Sequence, residues 1–241
     1  MTYDSIQSIL AQILIKLQNG YELLREGHYT VIWMEFLKRL YSTSLSVGLR
    51  RDISEDFENP NARIDISIRK LKNSDTRIIL EHGKFAKANP RLAEYQQNLV
   101  EADLPDCYVA VTEYNEPCYM QWLIGPEHNE RLSELFGNSF PQLKKDEALL
   151  EAAFMRPAFR GKRIMPAAMS RITRKAKDME GIRYVHTFVD IQNIPSLKGC
   201  KRAGFSPYIM REDRWFLFRR KITFASLPNE VISQYKTAIS K

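Results

Sequence analysis

Between Glu147 and Phe205 the chain carries residues whose types and spacing suit a ligand bearing a pyrophosphate. Arg160-Gly161-Lys162-Arg163 makes a basic turn ahead of a helical pattern, and Asn193-Ile194-Pro195-Ser196 precedes a second helix that ends in Gly204-Phe205. The first turn of a helix holds unpaired amide N–H groups and a partial positive charge. Residues 160–165 therefore present an anion site, to which Lys162 and Arg163 add full charges. The strand pattern just before this turn carries two carboxylates, Glu147 and Glu151. A side-chain period of two places Glu147, Glu151 and Met155 on one strand face.

Arg156, Arg160, Lys162, Arg163, Arg171, Arg174, Lys175 and Lys177 follow one another without an intervening acid, in a chain of formal net charge +7. Such a run asks for an anion. No nucleic-acid-binding motif accompanies it, and much of it lies on a helix that must also pack. A phosphate-rich small molecule accounts for it better than DNA or RNA. For Arg171, Arg174, Lys175 and Lys177 a solvated helix face is the alternative.

These residues need a frame, and the hydrophobic pattern supplies one. Ile64, Ile66 and Ile68 alternate with polar residues as a half-buried strand, and Asn73-Ser74-Asp75 starts a helix. A further helix is expected around Arg91–Val100. Cys107–Thr112 and Cys118–Ile124 read as two strands of a hairpin. Glu127–Phe140 reads as a short helix and loop, a place where substrate specificity is often carried. Then come a strand over Leu149–Met155, a helix over Pro166–Lys177 and a strand over Tyr184–Ile191. A helix over Ser196–Arg202 follows, with strands near Pro207–Met210 and Trp215–Phe224.

Upstream, Asp4 caps a helix whose apolar residues Ile6, Ile9, Leu10, Ile13, Leu14 and Leu17 follow 3.6-residue spacing. A second helix runs through Trp33, Phe36, Leu37 and Leu40. Ser44–Leu49 looks extended, Arg50-Arg51-Asp52 begins a polar connector, and Asn59-Pro60 marks a boundary. The expected organisation is a helical N-terminal extension over 1–59, a main domain over 60–225 and a tail or short helix over 226–241.

With 241 residues, 44% apolar and 27% charged, the chain can bury a full core and reads as one domain with an appendage. Ile6–Leu17 is too short, and too often interrupted by polar residues, for a membrane span or a signal peptide, so a cytoplasmic protein is expected. Cys107, Cys118 and Cys200 are odd in number and lack paired spacing, which fits free thiols and no metal. His186 reads as a structural imidazole on its strand, and His28, His82 and His128 lack partners at ligand spacing. Trp33, Trp122 and Trp215 stand singly, as core or rim residues.

The run Met155-Arg156-Pro157-Ala158-Phe159-Arg160-Gly161-Lys162-Arg163-Ile164-Met165, followed by Asn193-Ile194-Pro195-Ser196 and Gly204-Phe205, resembles the GNAT superfamily of acetyl-CoA-dependent N-acetyltransferases. The resemblance covers roughly Arg63 to Phe224. It implies an α/β (α+β) fold with a mixed, mostly antiparallel sheet and flanking helices, here with a helical N-terminal extension. It implies acetyl-CoA as acyl donor, with the amides of Arg160, Gly161, Lys162, Arg163, Ile164 and Met165 around the pyrophosphate. Phe154 and Met155 would pair with the pantetheine arm where two strands splay, and Asn193 would hydrogen-bond it. Asn193 can equally be a helix N-cap, with Pro195 at a permissive position.

Glu151 lies on the side from which a family glutamate acts as base, with Glu147 as second candidate; an ordinary strand carboxylate is the alternative for both. The chain departs from the family pattern at Arg163 and Met165, where small residues are usual. It departs again at Cys200, where many members carry a tyrosine proton donor seven residues after the Asn. Cys200 is either a substitute donor or an inert packed thiol, and Tyr208 is a second stand-in. The expected activity is transfer of an acetyl group to a primary amine of a small metabolite or amino sugar. A longer acyl-CoA or acyl-carrier donor, a peptide acceptor, and a decayed binding or scaffold protein are the alternatives. The expected partner is a small-molecule amine, with two chains able to pair through the N-terminal helices, and neither nucleic acid nor membrane is expected.

Overall fold

Apolar residues in alternating or unbroken runs produce eight strands in the structure, a computed structural model that describes residues 29–80, 99–100, 102, 104 and 106–240. The strands are β1 (Tyr41–Asp52), β2 (Ile66–Lys70), β3 (Cys107–Thr112), β4 (Pro117–Ile124), β5 (Glu147–Met155), β6 (Tyr184–Asp190), β7 (Ser206–Phe216) and β8 (Arg219–Ala225). Their order in the sheet is β2-β3-β4-β5-β6-β1-β7-β8. Pairing is antiparallel from β2 through β5 and between β6 and β1, and parallel between β5 and β6. A parallel pair requires a crossover, which contains the helix α4 (Ile164–Lys175). The chain divides into two compact units, Met1–Ser44 with Glu212–Thr223 and Leu45–Arg211 with Phe224–Lys241.

In the larger unit β3 and β4 are buried at every residue, because both sheet faces are covered. On one face Val47, Leu123, Leu150 and Val185 pack with Ile164 and Ile172 of α4, Leu197 of α5 (Ile194–Arg202) and Tyr235 of α6 (Asn229–Ser240). On the other, Val109, Trp122, Leu149 and Phe154 pack with Leu132 of α3 (Asn129–Phe136) and with Leu99 and Leu104. A short helix α2 (Asn73–Leu80) follows β2, and the buried Asp75 in its first turn accepts from Arg69 and from the Lys72 amide. In the smaller unit α1 (Tyr29–Leu40) ends against the β7–β8 turn: the amides of Leu217 and Phe218 donate to the carbonyls of Leu40 and Arg39 at 2.9 and 2.8 Å.

Several expectations change here. Arg50-Arg51-Asp52 is the end of β1, not a connector, and Arg51 opposes Val185 in the ladder. The Arg51 guanidinium is buried because Nη1 donates to Ser170 Oγ at 2.8 Å and to the Ala203 carbonyl at 2.9 Å. Residues 45–59 consequently lie in the larger unit, so the division of the chain does not fall at the expected 59/60 boundary. The C-terminal helix also docks there, through Val231, Tyr235 and Ala238. Trp215 belongs to β7, and the hairpin turns at Leu217-Phe218. Neither residue has the Asn-Gly chemistry that ordinarily marks such a turn. The helix expected from Asp4 lies outside the described residues, as does most of the one over Arg91–Val100.

Candidate active site

β5 and β6 pair only through Glu147–Tyr184, Ala148–Val185 and Leu149–His186. β5 continues to Met155 and β6 to Asp190, so past Leu149 and His186 their facing edges part. A cause is visible in β5: Ala152 stands at φ 54°, left-handed in mid-strand, and the β4–β5 register shifts between Met120 and Trp122. A bulge inserts one residue, bends the strand and reverses the side-chain alternation beyond it. Leu149 and Phe154, an odd and an even position, pack in the same cluster, whereas Met155 packs against the other. The common face expected for Glu147, Glu151 and Met155 is therefore broken. Glu147 and Glu151 keep the face of Leu149, and Met155 turns to the opposite one, since the period of two holds only in an unbulged strand.

The parted end of β5 borders a cleft of about 650 Å³. Phe154, Met155, Arg160, Gly161, Arg163, Ile164, Met165 and Asn193, eight of the nine residues expected to touch the cofactor, lie on its wall. The ninth, Lys162, holds its ammonium 5.0 Å from the ring of Phe159, itself on the wall. Among the described residues none of the amides of 161–165 donates to another backbone group. Arg163 is the N-cap of α4 at φ 56° and supplies no side-chain cap, so the first turn stays open. Pro166 at the third helical position removes one more donor without loss of an intrahelical bond. At Gly161, with φ 79°, nothing stands within 4 Å of where a Cβ would be, so a ligand can approach the backbone there.

The second wall is α5. Asn193 Oδ1 accepts from the Ser196 amide at 3.3 Å as an N-cap, while the exposed residue lines the cleft, which leaves its amide N–H groups for a ligand. Met165 meets the neighbouring helix at Gly199, where an added Cβ would stand 2.9 Å from the Met165 sulfur. The bulk that departs from the expected small residue is thus accommodated by a glycine opposite.

Among the wall residues that escaped the sequence reading are Tyr119, Gly199 and Arg202. Ser196, Gly199 and Arg202 recur every three residues on one helix face, a signal that was present. Tyr119 was hidden in the apolar β4. Its fully buried phenol donates to Gln121 Oε1 at 2.7 Å, and burial pushes its pKa well above the ordinary value, so it stays neutral.

The expected acid–base residues separate into different places. Glu151 is half-buried, opposite Trp122 at the edge of the bulge. Glu147 is buried at the paired end of β5, accepting from the Lys144 amide at 3.0 Å, with His186 Nε2 at 3.5 Å and Lys144 Nζ at 3.6 Å. Four residues of strand, about 13 Å, separate it from Glu151. His186 is buried with neither ring nitrogen hydrogen-bonded, and burial lowers its pKa to about 4 against the opposing pull of Glu147. It is neutral. Tyr208 packs its ring 4.8 Å from His186 and lines another hollow with Arg50 and Tyr184, away from the cleft wall. Burial, and then Glu147, raise the Tyr208 phenol. Cys200 is in the core, 3.8 Å from the Met169 sulfur, with its thiol pushed up to about 12 by burial. It does not line the cleft either.

The basic run also divides. Arg156 is buried and donates to Glu116 at 2.7 Å and the Pro117 carbonyl at 2.8 Å. Arg171 donates to the Ile66 carbonyl, Arg174 to that of Phe57, and Lys175 lies 3.8 Å from Asp178. Arg171 is half-buried and acts as a structural clamp, which corrects the solvated-face reading for it, whereas Arg174 and Lys175 stay exposed. Arg160, Lys162 and Arg163 remain at the open turn.

The model of the acetyltransferase (GNAT) family matches residues 89–205. No curated protein sequence matches significantly. Among solved structures, the glucosamine N-acetyltransferase region of a fungal multi-domain GH3 β-N-acetylglucosaminidase is similar, with TM-score 0.52 and 18% identity, covering 77% of this chain and 22% of that one. The GCN5-related N-acetyltransferase of Sphaerobacter thermophilus is similar with TM-score 0.50 and 15% identity, covering 78% of this chain and 57% of that one. The chain thus spans about a fifth of the first and somewhat over half of the second. At these identities the likeness is one of fold.

Proposed function

The chain belongs to the GNAT superfamily of N-acetyltransferases, and from that premise we propose that it moves an acetyl group from acetyl-CoA to a primary amine of a small metabolite or amino sugar by direct attack. One observation supports this most: an unpaired stretch of the β5 edge and the open amides of 161–165 border the same cleft. A strand edge suits an amide-bearing arm, and an uncapped helix N-terminus suits a pyrophosphate. The two features match the two chemically different parts of an acyl-CoA.

When bound, acetyl-CoA supplies a thioester carbonyl open to attack by an amine. The chain's residues do the rest. Phe154 and Met155 align the arm, residues 160–165 hold the phosphates, and Asn193 offers its amide from the opposite wall. Glu151, at the bulge on the other sheet face, takes the proton of the acceptor ammonium, directly or through one water. The segment expected to carry specificity covers that face through Leu132, Phe136 and Phe140, and Arg211 lies over the Phe140 and Phe188 rings. Tyr119 takes over from Cys200 and Tyr208 as candidate proton donor, because it lines the cleft and they do not.

Calorimetric titration of the folded protein with acetyl-CoA, CoA and a longer acyl-CoA tests the reading. Saturable binding that distinguishes the acyl groups, followed by thiol release with a panel of amines, is the expected result. Absence of binding to all three overturns it in favour of a scaffold role or a carrier-protein donor.

A further inference from the structure

Twelve large hydrophobic residues are exposed in the described chain, and ten of them, all but Tyr114 and Ile194, fall in the smaller unit. Met34 is 70% exposed, Trp33 60%, Leu217 57% and Phe218 51%. They form one surface: Trp33 stacks on Phe36 at 5.5 Å, and Phe36 meets Phe218 edge-on at 5.3 Å. The two hydrogen bonds from the hairpin turn to the end of α1 hold that surface in shape.

The turn is the unusual part. Leu217 and Phe218 are its two central residues, at φ 45° and 65°, where Asn and Gly are the usual occupants. Bulky side chains in the left-handed region are strained, and these two are exposed as well. Neither local preference nor burial explains apolar residues at such a tip.

Around the tip stand cations. Lys38, Arg214, Arg219 and Lys221 are exposed and have no acidic partner among the described residues, whereas Arg220 is held by Asp213 at 2.6 Å. Pairing this surface with a second copy by a two-fold axis would set the same cations against one another. Aromatic and apolar residues ringed by Lys and Arg are instead the composition that rests at the boundary of an acidic bilayer. Among the described residues no helix is long and apolar enough to cross one, so the contact is peripheral.

We propose that α1 and the β7–β8 tip form a docking surface for acidic phospholipid, with Leu217 and Phe218 entering the acyl boundary while Lys38, Arg214, Arg219 and Lys221 meet the headgroups. This replaces the expectation of no membrane contact and is independent of the acyltransferase reading.

The test is flotation of the full chain with phosphatidylcholine vesicles, with and without phosphatidylserine, at low and high salt. Binding only to the acidic vesicles, and weakened by salt, is expected. The double variant Leu217→Asn/Phe218→Gly installs the residues the turn prefers, so it should unfold at the same or a higher temperature while its vesicle partitioning falls by about tenfold or more. Arg219→Gln and Lys221→Gln should each weaken partitioning about fivefold. Equal binding by the tip variant, equal binding to both vesicle types, or no binding overturns the proposal. So does a dimer in sedimentation that the tip variant dissociates, which assigns the surface to a second copy.

Discussion

The two halves of β5 face opposite demands. From Glu147 to Leu149 the strand pairs with β6 and is buried, and its polar cargo is packed away: Glu147 is surrounded by His186 and Lys144. Past Leu149 the strand loses β6, while it keeps its β4 partner across the bulge at Ala152 as far as Met155. The same backbone thus stabilises a sheet at one end and is offered to a ligand at the other. Ending a ladder inside a sheet leaves peptide groups that need partners. In the open half a bound arm can serve as that partner, so the site is built by withholding pairing more than by adding catalytic side chains.

The sharpest test of this contrast compares its two carboxylates. Glu151→Gln should lower kcat by about 10²–10⁴-fold with acetyl-CoA affinity unchanged, the usual range for a lost general base. Glu147→Gln, at the closed end, should leave kcat within about tenfold and lower the melting temperature, because a buried hydrogen-bonded carboxylate is exchanged for an amide. Equal rate losses in the two variants would erase the division between the halves.

The open half rests on charge as well as backbone. Reversal of Lys162 and Arg163 together (K162E/R163E) should weaken CoA binding by about 30-fold or more, roughly 2 kcal/mol, with little change in folding, since both face the turn. Calorimetric affinity equal to that of the parent would remove the pyrophosphate site from residues 160–165.

The closed half predicts a pH dependence. Burial holds His186 at about 4 in the folded chain against an ordinary 6.5, so the unfolded chain takes up the proton first. The stability it contributes is complete above pH ~6.5 and drains away as pH falls toward 4, by an amount on the order of 3 kcal/mol. Denaturant midpoints measured across that window should drop for the parent and flatten for His186→Leu. A parent midpoint that does not move would mean that the imidazole is already charged when folded.

Much of this was legible beforehand because the signals are local. The amides of a turn before a helix, the Asn193 cap and the parallel order of elements follow from short-range patterns, and of the nine residues expected around the cofactor all but Lys162 line one cleft. What stayed hidden depends on partners distant in sequence. Arg51 reads as a connector until Ser170 and Ala203, over a hundred residues away, accept its hydrogen bonds. Tyr119 reads as an apolar-strand residue until the bulge in β5 opens the cleft beside it. The bulge itself has no sequence mark, because alanine is as ordinary in an unbroken strand as in a left-handed one is rare. That single unread residue reversed the face assigned to Met155.

Ala152 is therefore the residue whose replacement says most about how the two halves are divided, though its effect is the smallest. Its left-handed backbone costs about 1–2 kcal/mol in a residue with a Cβ, and glycine removes that strain while adding about 0.5–1 kcal/mol of unfolded-state entropy. Ala152→Gly should then be neutral or stabilising by up to about 1 kcal/mol, a rise of no more than ~2–4 °C in melting temperature. Ala152→Val pulls the other way, because a β-branched side chain disfavours positive φ and favours an unbulged strand. If the bulge keeps β5 apart from β6, the valine variant should lose both stability and CoA affinity, while the glycine variant keeps its affinity. A valine variant that is destabilised yet binds CoA as tightly as the parent would show that the cleft stays open without the bulge, held apart by α4 and α5 alone.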